Sequence, residues 1–365
     1  MPPFPSDDVR VRFGAAAQAL GWATSPIPFA INSVPRGGRR ACVRCPQCIG
    51  HSCPVDAKNG THNTFIPRAL ATGNCDLLLS AQAVSIEQEA PAGAVRVRMV
   101  IETDTGPVER LVRARKVVLA AGAIESARLL LVSGLGNDWV GRNHHSHGLA
   151  GATALSGVSR TSYQGPGHSV ASVDWVHRDG QAWGGGVIFD AAPMYPLARA
   201  RLGRQLAGLG WGGAHKRWMR SSGPLLGTRS LVQEIPDVSS RVTLDSSVVD
   251  RWGMPVARLA GRANRATSAA VDYMARRCVE WLEAAGGHDI IPVREDNVPQ
   301  GNEHSAGTIR LADHPAFGAC DPRGRLFGTQ NVYIADASLH PTNGGFNPGL
   351  TVMANALRVA HLMER

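Results

Sequence analysis

The pattern of apolar and polar residues predicts a chain that mixes helices with two kinds of sheet. Residues 95–102 alternate with period two, and a turn at 104–107 leads into a second alternating run at 108–114, which predicts a hairpin. The continuous apolar run at 116–121 is typical of a buried parallel strand, and a helix is expected at 125–133. Shorter runs predict helices at 10–20 and 64–72 and a strand at 76–86. The fold class is therefore α/β, in the broad sense that includes α+β.

A second region, from about residue 140 to 299, has the pattern of an antiparallel sheet backed by a helix. A turn is expected at 245–256, and the alternating runs lie at 169–176, 184–189, 230–234 and 241–244. Residues 264–285 place apolar side chains at helical spacing and end before Gly286, which predicts a long amphipathic helix. Its buried stripe is expected to contain Val271, Met274, Ala275, Cys278, Leu282 and Ala285.

The C-terminal region contains a strand, a loop and a helix start. The apolar run 332–335 ends at Asp336, and a Gly-rich loop follows. Asn347 is a good N-cap, and Pro348 suits the first helical position, where a missing N–H costs nothing. The apolar face of this helix is expected at Leu350, Met353, Ala354 and Leu357. Because the free N–H groups of a helix start point outward, this corner is predicted to bind a cofactor.

Three segments of the chain resemble signatures of the glucose-methanol-choline (GMC) flavin oxidoreductases. Residues 114–136 are similar to the family's second signature, in which Ala121, Gly122 and Ala123 form a tight strand-to-helix turn. His304, followed by Gly307 and Thr308, is similar to its catalytic histidine segment, and 336–351 is similar to its closing flavin-binding segment. The resemblance implies a partial FAD/NAD(P)-binding Rossmann-like domain and an antiparallel-sheet substrate domain backed by helices.

The resemblance also implies an activity. An FAD-dependent oxidoreductase of this family acts on CH–OH groups, here of an alcohol or sugar-like substrate. His304 would take the hydroxyl proton, since a neutral imidazole is available near neutral pH, and Asn347 would hold the substrate oxygen. The cofactor-binding residues carried over from the resemblance are Val84, Ala121, Gly122, Ala123, Asp336, Ala337, Asn347, Pro348 and Thr351.

Other histidines compete for attention. The run that contains His144, His145 and His147 could suggest a metal, but by resemblance it is a structural loop after the second signature. His340 precedes Pro341 in a loop that varies among relatives, and it is not expected to be catalytic.

The phosphate loop that opens members of this family is not found at the start of the sequence. The literal G-x-G-x-x-G at Gly208, Gly210 and Gly213 does not follow an apolar strand, so it is not expected to bind a dinucleotide. The chain is therefore expected to correspond to the family's C-terminal two-thirds, with an N-terminal FAD-binding polypeptide as a possible partner. Its domains are predicted as a flavin-domain portion at 1–139, a substrate domain at 140–300 and a return to the flavin domain at 301–365.

Four clustered cysteines leave several interpretations open. Cys42, Cys45, Cys48 and Cys53 resemble a ferredoxin-type sequence, although the last spacing is one residue too long. They could hold an iron–sulfur cluster or a structural metal such as zinc, or they could be plain or disulfide-forming thiols. A non-catalytic or electron-relay subunit with a cluster is thus the alternative to the oxidoreductase.

Composition narrows the partners. The net charge of +9 includes a basic stretch at 199–220, but no nucleic-acid-binding motif frames it, so nucleic acid is not an expected partner. No apolar run is long enough to span a bilayer, and no signal peptide is recognised at the start of the sequence. A cytoplasmic location is expected.

Overall fold

The structure is a computed structural model that describes residues 1–45, 48, 51–90, 93–156, 165–177, 184–191, 200, 203–204, 208–220, 225–295 and 303–363. The helices are α1 (Asp8–Ala19), α2 (Phe65–Leu70), α3 (Ala123–Val132), α4 (Gly213–Arg220), α5 (Arg265–Ala284) and α6 (Gly349–Met363). The strands are β1 (Ser25–Pro26), β2 (Ala81–Gln88), β3 (Val95–Thr103), β4 (Gly106–Ala114), β5 (Val117–Leu119), β6 (His147–Leu155), β7 (Val170–Ser172), β8 (Gly186–Asp190), β9 (Leu225–Gln233), β10 (Arg241–Val249), β11 (Pro255–Ala260), β12 (His288–Glu295) and β13 (Val332–Ile334).

The chain forms two compact units, each assembled from three separate segments. Unit 1 consists of Met1–Leu77, Leu149–Val232 and Ala270–Glu295, and unit 2 consists of Leu78–Gly148, Gln233–Ala269 and Asp296–Arg365. The predicted domain bounds at 139/140 and 300/301 stay a prediction, and the second of them falls outside the described residues.

Unit 1 is organised around one sheet with strand order β1-β7-β8-β9-β6-β12. The pairs β1–β7, β7–β8, β8–β9 and β6–β12 are antiparallel, so the predicted antiparallel sheet is confirmed. The predicted apolar stripe of α5 is also confirmed, because all six of its residues are buried. Trp281 adds to this core, since its ring meets Phe13 edge-on at 5.0 Å and its Nε1–H donates to the Phe13 carbonyl at 2.9 Å.

The clustered cysteines also lie in unit 1. They are free thiols of intermediate exposure, and the Cys53 sulfur accepts the Ala57 N–H at 3.3 Å. Burial would raise the pKa of Cys53, but backbone N–H donors outweigh it and lower the pKa. Across the described residues, no three His, Cys, Asp or Glu side chains are grouped as ligands for a metal ion.

Unit 2 contains the predicted hairpin and a parallel strand pair. Strands β2, β3 and β4 form an antiparallel sheet, and β10 pairs antiparallel with β11. Strands β5 and β13 run parallel with Val332 opposite Val117 and Ile334 opposite Leu119, as expected from the apolar run at 116–121. Val118 between them is 44% exposed, so this strand is only partly buried.

Three predictions about elements of unit 2 are wrong in detail. The strand expected at 76–86 begins only at Ala81, and Leu78 and Leu79 before it are exposed. Strand β10 continues to Val249, well into the expected turn at 245–256, because Val249 still pairs with Pro255. The expected apolar face of α6 is exposed, with Leu350 at 78% and Leu357 at 61%, while Val359 is the residue that this helix buries.

Helix α3 is fastened to the β10–β11 hairpin by a buried cation. Arg128 donates to the Asp250 carboxylate at 2.6 Å, to Glu125 at 3.0 Å and to the Pro255 carbonyl at 2.8 Å. Because its guanidinium is mostly buried and fully engaged, this side chain fixes the position of the helix that follows β5.

No helix within the described residues combines the length and the apolar character needed to cross a membrane.

Candidate active site

The ends of the two parallel strands are joined by one carboxylate. Asp336 follows β13, and its Oδ2 accepts the Gly122 N–H at 3.0 Å and the Ser126 hydroxyl at 2.5 Å. Its Oδ1 accepts the Ser338 N–H at 2.9 Å. Because both oxygens are occupied and the residue is only 6% exposed, Asp336 holds the β5–α3 turn against the end of β13. The carboxyl edge of a parallel sheet is where α/β proteins bind their ligands.

The turn at Gly122 has the properties of a cofactor cradle. Gly122 has φ +86°, which disfavours any residue with a side chain, and within the described part of the chain no heavy atom lies within 4 Å of where its Cβ would be. No side chain of the described residues caps the start of α3, so its first N–H groups remain available to an oxygen-rich ligand. Ala121 is exposed beside this space, whereas Ala123 is buried and its carbonyl accepts the Thr308 hydroxyl. A group such as the FAD diphosphate fits this donor set.

The other expected cofactor residues are distributed around unit 2. Val84 is the extra residue of a bulge in β2, and its side chain is buried in the core. Ala337 opens the short turn after Asp336. Helix α6 begins at Gly349, and Val352 donates to the Pro348 carbonyl at 2.9 Å.

Helix α6 therefore starts later than its sequence suggests. By this hydrogen bond Pro348 takes the capping position, and the expectation that Asn347 is the N-cap is wrong. The Asn347 amide lies close to His304 instead. Thr351 is exposed on the first turn of the helix.

His304 and Asn347 converge although 43 residues separate them. The Asn347 Nδ2 lies 3.4 Å from the His304 Nε2, and the asparagine is exposed while the histidine is partly buried. Burial lowers the pKa of His304, and the nearby Glu303 charge opposes that shift without reversing it. The imidazole is therefore neutral at pH 7 and able to accept a proton.

Two neighbouring loops hold His304 in place. His145 and Ala306 exchange backbone hydrogen bonds of 3.1 and 2.9 Å, and Gly141 donates to the Thr308 carbonyl at 2.7 Å. The His147 ring meets His304 edge-on, with centroids 5.0 Å apart and an interplanar angle of 89°. On the other side the Asn343 amide donates to the His304 carbonyl at 2.6 Å. The histidine is thus held through its backbone and its ring.

Gly307 occupies the tightest point between these loops. It has φ +90°, and a Cβ there would lie 2.4 Å from the Asn143 carbonyl oxygen and 2.4 Å from the His145 ring. Only glycine fits this position without moving a neighbour.

His144 and His145 are buried in the 144–147 loop. Burial lowers the pKa of both His144 and His145 to about 4. His145 Nδ1 pairs with the Asn143 carbonyl at 2.8 Å. His340 is also buried and lies 3.3 Å from Asn343 through its Nδ1. The structural role expected for this loop agrees with these contacts.

Sequence reasoning missed several residues that build the site. Ser126, Asn343 and Glu234 each form a hydrogen bond with a residue that lies 39 to 210 positions away in the sequence. No local motif marks them, because a single serine, asparagine or glutamate has no periodic signal of its own. Ser126 lies inside the segment 114–136 and Asn343 inside the segment 336–351, so the resemblance marks where they lie but not which residues they bond.

Comparisons with known proteins agree with the fold. The model of the GMC oxidoreductase N-terminal domain matches residues 10–149, and the model of the C-terminal domain matches residues 236–356. Together these matches cover more than half of the chain. The protein belongs to the GMC oxidoreductase family, whose members are FAD-binding flavoproteins.

Individual relatives make the similarity more specific. The chain is 32% identical to the 6'''-hydroxyparomomycin C oxidase of Streptomyces lividus over 98% of this chain and 64% of that protein. It is 30% identical to the paromamine 6'-oxidase of Streptomyces fradiae over 94% of this chain and 62% of that protein. The crystal structure of pyridoxine 4-oxidase from Mesorbium loti shares the fold with a TM-score of 0.62 and 17% identity, over 100% of this chain and 72% of that chain.

The match at 10–149 corrects one expectation. Because the N-terminal family domain is recognised in this sequence, the view that the chain holds only the C-terminal two-thirds of the family fold is not supported. A separate N-terminal FAD-binding polypeptide is likewise not supported. The chain spans 64% and 62% of the lengths of the two Streptomyces relatives.

Proposed function

We propose that the protein is an FAD-dependent oxidoreductase that acts on a CH–OH group of an alcohol or sugar-like substrate. The observation that carries this proposal is the approach of His304 Nε2 and Asn347 Nδ2 to 3.4 Å within unit 2. An imidazole and an amide that converge on one point suit the handling of a hydroxyl group.

His304 is assigned as the base. Its pKa is lowered by burial, so the neutral ring accepts the hydroxyl proton at neutral pH. The Asn347 amide neither gains nor loses a proton at this pH. Its N–H donates a hydrogen bond to the substrate oxygen and keeps that oxygen in register with the ring. The hydrogen bond from Asn343 to the His304 carbonyl limits movement of the base while it receives the proton.

The FAD-binding role is assigned to the strand-end cradle. Gly122 and Ala121 offer close backbone approach, and Asp336 keeps their turn in place. Val84, Ala123, Ala337, Asn347, Pro348 and Thr351 complete the proposed set. When bound, FAD accepts the hydride that the substrate carbon releases.

The relatives indicate a class of substrate. The names of two of them refer to paromamine and to a hydroxyparomomycin, and a third acts on pyridoxine by its name. We therefore propose an alcohol group on a polar ring compound, such as an amino sugar, as the substrate class to test first.

The test compares the wild-type protein with His304→Ala and Asn347→Ala. Each is loaded with FAD, and oxidation of paromamine and of simple primary alcohols is followed with a redox dye. Loss of the base is expected to lower kcat by about 10²- to 10⁴-fold while the flavin spectrum is kept. Loss of the amide is expected to lower kcat by about 10²-fold.

The matched control is His314→Ala, an exposed histidine of the same unit. It should keep wild-type kcat. A His304→Ala protein that oxidises its substrate as fast as this control would contradict the assignment of the base.

A further inference from the structure

Glu234 is a buried carboxyl that the proposed chemistry does not use. It follows β9 directly and is 2% exposed. Its Oε2 accepts the Ser146 N–H at 2.7 Å, and Ser146 is itself 1% exposed. Burial raises the pKa of Glu234 to about 7, against the opposing effect of the Ser146 hydrogen bond. Burial of a carboxyl costs free energy of desolvation, and the hydrogen bond from Ser146 offsets part of that cost.

The segment that carries Glu234 is itself anchored. The Ile235 N–H donates to the Thr267 hydroxyl at 3.0 Å, and the Asn264 amide donates to the Ile235 carbonyl at 3.0 Å. These two bonds fix the backbone next to Glu234 to the start of α5. The carboxyl is therefore presented from a rigid support.

The same segment touches the 144–147 loop at a second point. The His144 N–H donates to the Ser240 carbonyl at 3.0 Å. Contacts at Ser146 and at His144 grip both halves of this short loop. On its opposite side the loop meets the 304–309 segment, through the His145–Ala306 bonds and the edge-on contact of His147 with His304.

We propose that Glu234 is a positioning residue: by accepting the Ser146 N–H, it sets His147 edge-on against His304 and fixes the imidazole that takes the substrate proton. The inference rests on the proposed function of His304. The ionisable groups on the gripped loop are His144, His145 and His147, and Glu303 lies beside the base on the other segment. None of them replaces the acceptor that Glu234 provides to the Ser146 N–H.

Three variants of Glu234 separate the acceptor from the charge. Glu234→Gln keeps an oxygen at the same reach and loses only the ionisable proton, so it is expected to behave as wild type. Glu234→Asp keeps the carboxyl but withdraws it by one methylene, and Glu234→Leu removes the acceptor. The aspartate variant keeps the test possible if the leucine variant does not fold.

The first readout needs neither substrate nor FAD. The titration of His304 is followed by NMR of the ¹⁵N-histidine-labelled protein, and its signal is assigned by its loss in His304→Ala. We expect the pKa of His304 to stay at its wild-type value in Glu234→Gln. In Glu234→Asp it should rise toward the ordinary histidine value, because a loosened ring is better solvated.

The second readout is steady-state kinetics of the FAD-loaded proteins. Displacement of the base by about 1 Å can lower the rate by about 10²-fold, so kcat of Glu234→Asp should fall by about 10- to 100-fold with KM nearly unchanged. Glu234→Gln should have the kcat of the wild-type protein. Because glutamine fills the same volume as glutamate, kinetics alone does not separate positioning from packing, and the His304 titration supplies that distinction.

The outcomes distinguish this inference from the proposed function. Wild-type inactivity, or full activity of His304→Ala, would refute the proposed function, while the NMR titration still reports whether Glu234 positions the ring. An unchanged His304 titration in both Glu234→Asp and Glu234→Leu overturns the inference. So does a shifted titration with unchanged kcat, because the position would then not matter for the proton transfer.

Discussion

At the scale of single residues, two opposing effects on the pKa of His304 set the pH above which this histidine can act as the proposed base. Burial lowers the pKa of this histidine, and the negative charge of Glu303 raises it in part. A base must be neutral to accept a proton, so activity should rise with pH through the pKa of His304 and be complete above it.

Removing the charge at Glu303 should make the base available at lower pH. In Glu303→Gln the opposing effect is lost, so the pKa of His304 falls further and the acidic limb of kcat/KM moves to lower pH. The pH profile of kcat/KM measures this, with Glu109→Gln on exposed strand β4 as the control. A limb that moves upward or stays in place would show that Glu303 does not act on the base.

The proposed catalytic pair could be selected from the sequence only through the family resemblance. His304 and Asn347 lie in segments with recognisable neighbours, and the structure brings them to 3.4 Å. Asn343 and Glu234 could not be predicted, since each works by one hydrogen bond to a distant backbone group. Their importance depends on which loops meet in space.

At the scale of elements, Asp336 is the connection between the two parallel strand ends. In Asp336→Asn one acceptor becomes an amide N–H that faces the donors on Gly122 and Ser126. We expect the free energy of unfolding to fall by about 1–3 kcal/mol, because a buried donor loses its partner. Urea unfolding measures this, and Asp313→Asn, at an exposed position, should change little.

Arg128 makes the corresponding connection between α3 and the β10–β11 hairpin. Arg128→Met should lower stability by about 3 kcal/mol, since it leaves the Asp250 carboxylate without its cation. The double variant Arg128→Met/Asp250→Asn should recover part of that loss. Urea unfolding of the two variants at pH 7 checks both expectations, and equal losses would argue against an energetic coupling of the pair.

The pair also has a defined pH dependence. Burial would raise the pKa of Asp250, but hydrogen bonds from Arg128 and from two backbone N–H groups outweigh it and lower the pKa. The contribution of a carboxyl with a lowered pKa is present above its unfolded pKa, about 3.9, and is lost as pH falls through the folded value. The difference in stability between wild type and Arg128→Met should therefore shrink in that acidic range.

Elements with a regular apolar period could be predicted from the sequence. The buried face of an element could not be predicted where its packing neighbours determine it. The stripe of α5 was predicted from periodicity, because its own residues define its buried face, and the β3–β4 hairpin was predicted from two alternating runs with a turn between them. The apolar residues Leu350 and Leu357 of α6 have the same periodicity and are exposed. A periodic pattern states which face is apolar and does not state what packs against it.

At the scale of the whole molecule, binding of FAD should stabilise the fold. A ligand at 100 times its Kd adds about 2.7 kcal/mol to the free energy of unfolding when it binds only the folded state. Differential scanning fluorimetry should show a higher midpoint with FAD than with riboflavin, which lacks the diphosphate. Equal midpoints for the two ligands would show that the cradle at Gly122 does not recognise the diphosphate.

The mixed α/β fold class could be predicted for the whole chain, while the division into domains at 139/140 and 300/301 stays a prediction. The two units are each built from three segments, so the chain passes repeatedly between them. Local patterns indicate strands and helices in order along the chain, whereas which segments share a core depends on contacts between distant residues. Local motifs were also insufficient for the N-terminal family domain. The search for a short phosphate-loop motif did not find it, whereas the family model matches residues 10–149.

The crowding at Gly307 has a consequence for anyone who wishes to change the proposed substrate preference of this protein. A library that randomises the 304–309 segment to change the substrate would include every larger residue at 307. Each would place a Cβ 2.4 Å from the His145 ring and from the Asn143 carbonyl oxygen, so one of these groups would have to move. Those clones would lose the base together with the old specificity and would all score as inactive. A library that keeps glycine at 307 and varies exposed positions such as 346 and 350 would contain more variants in which the proposed base stays in place.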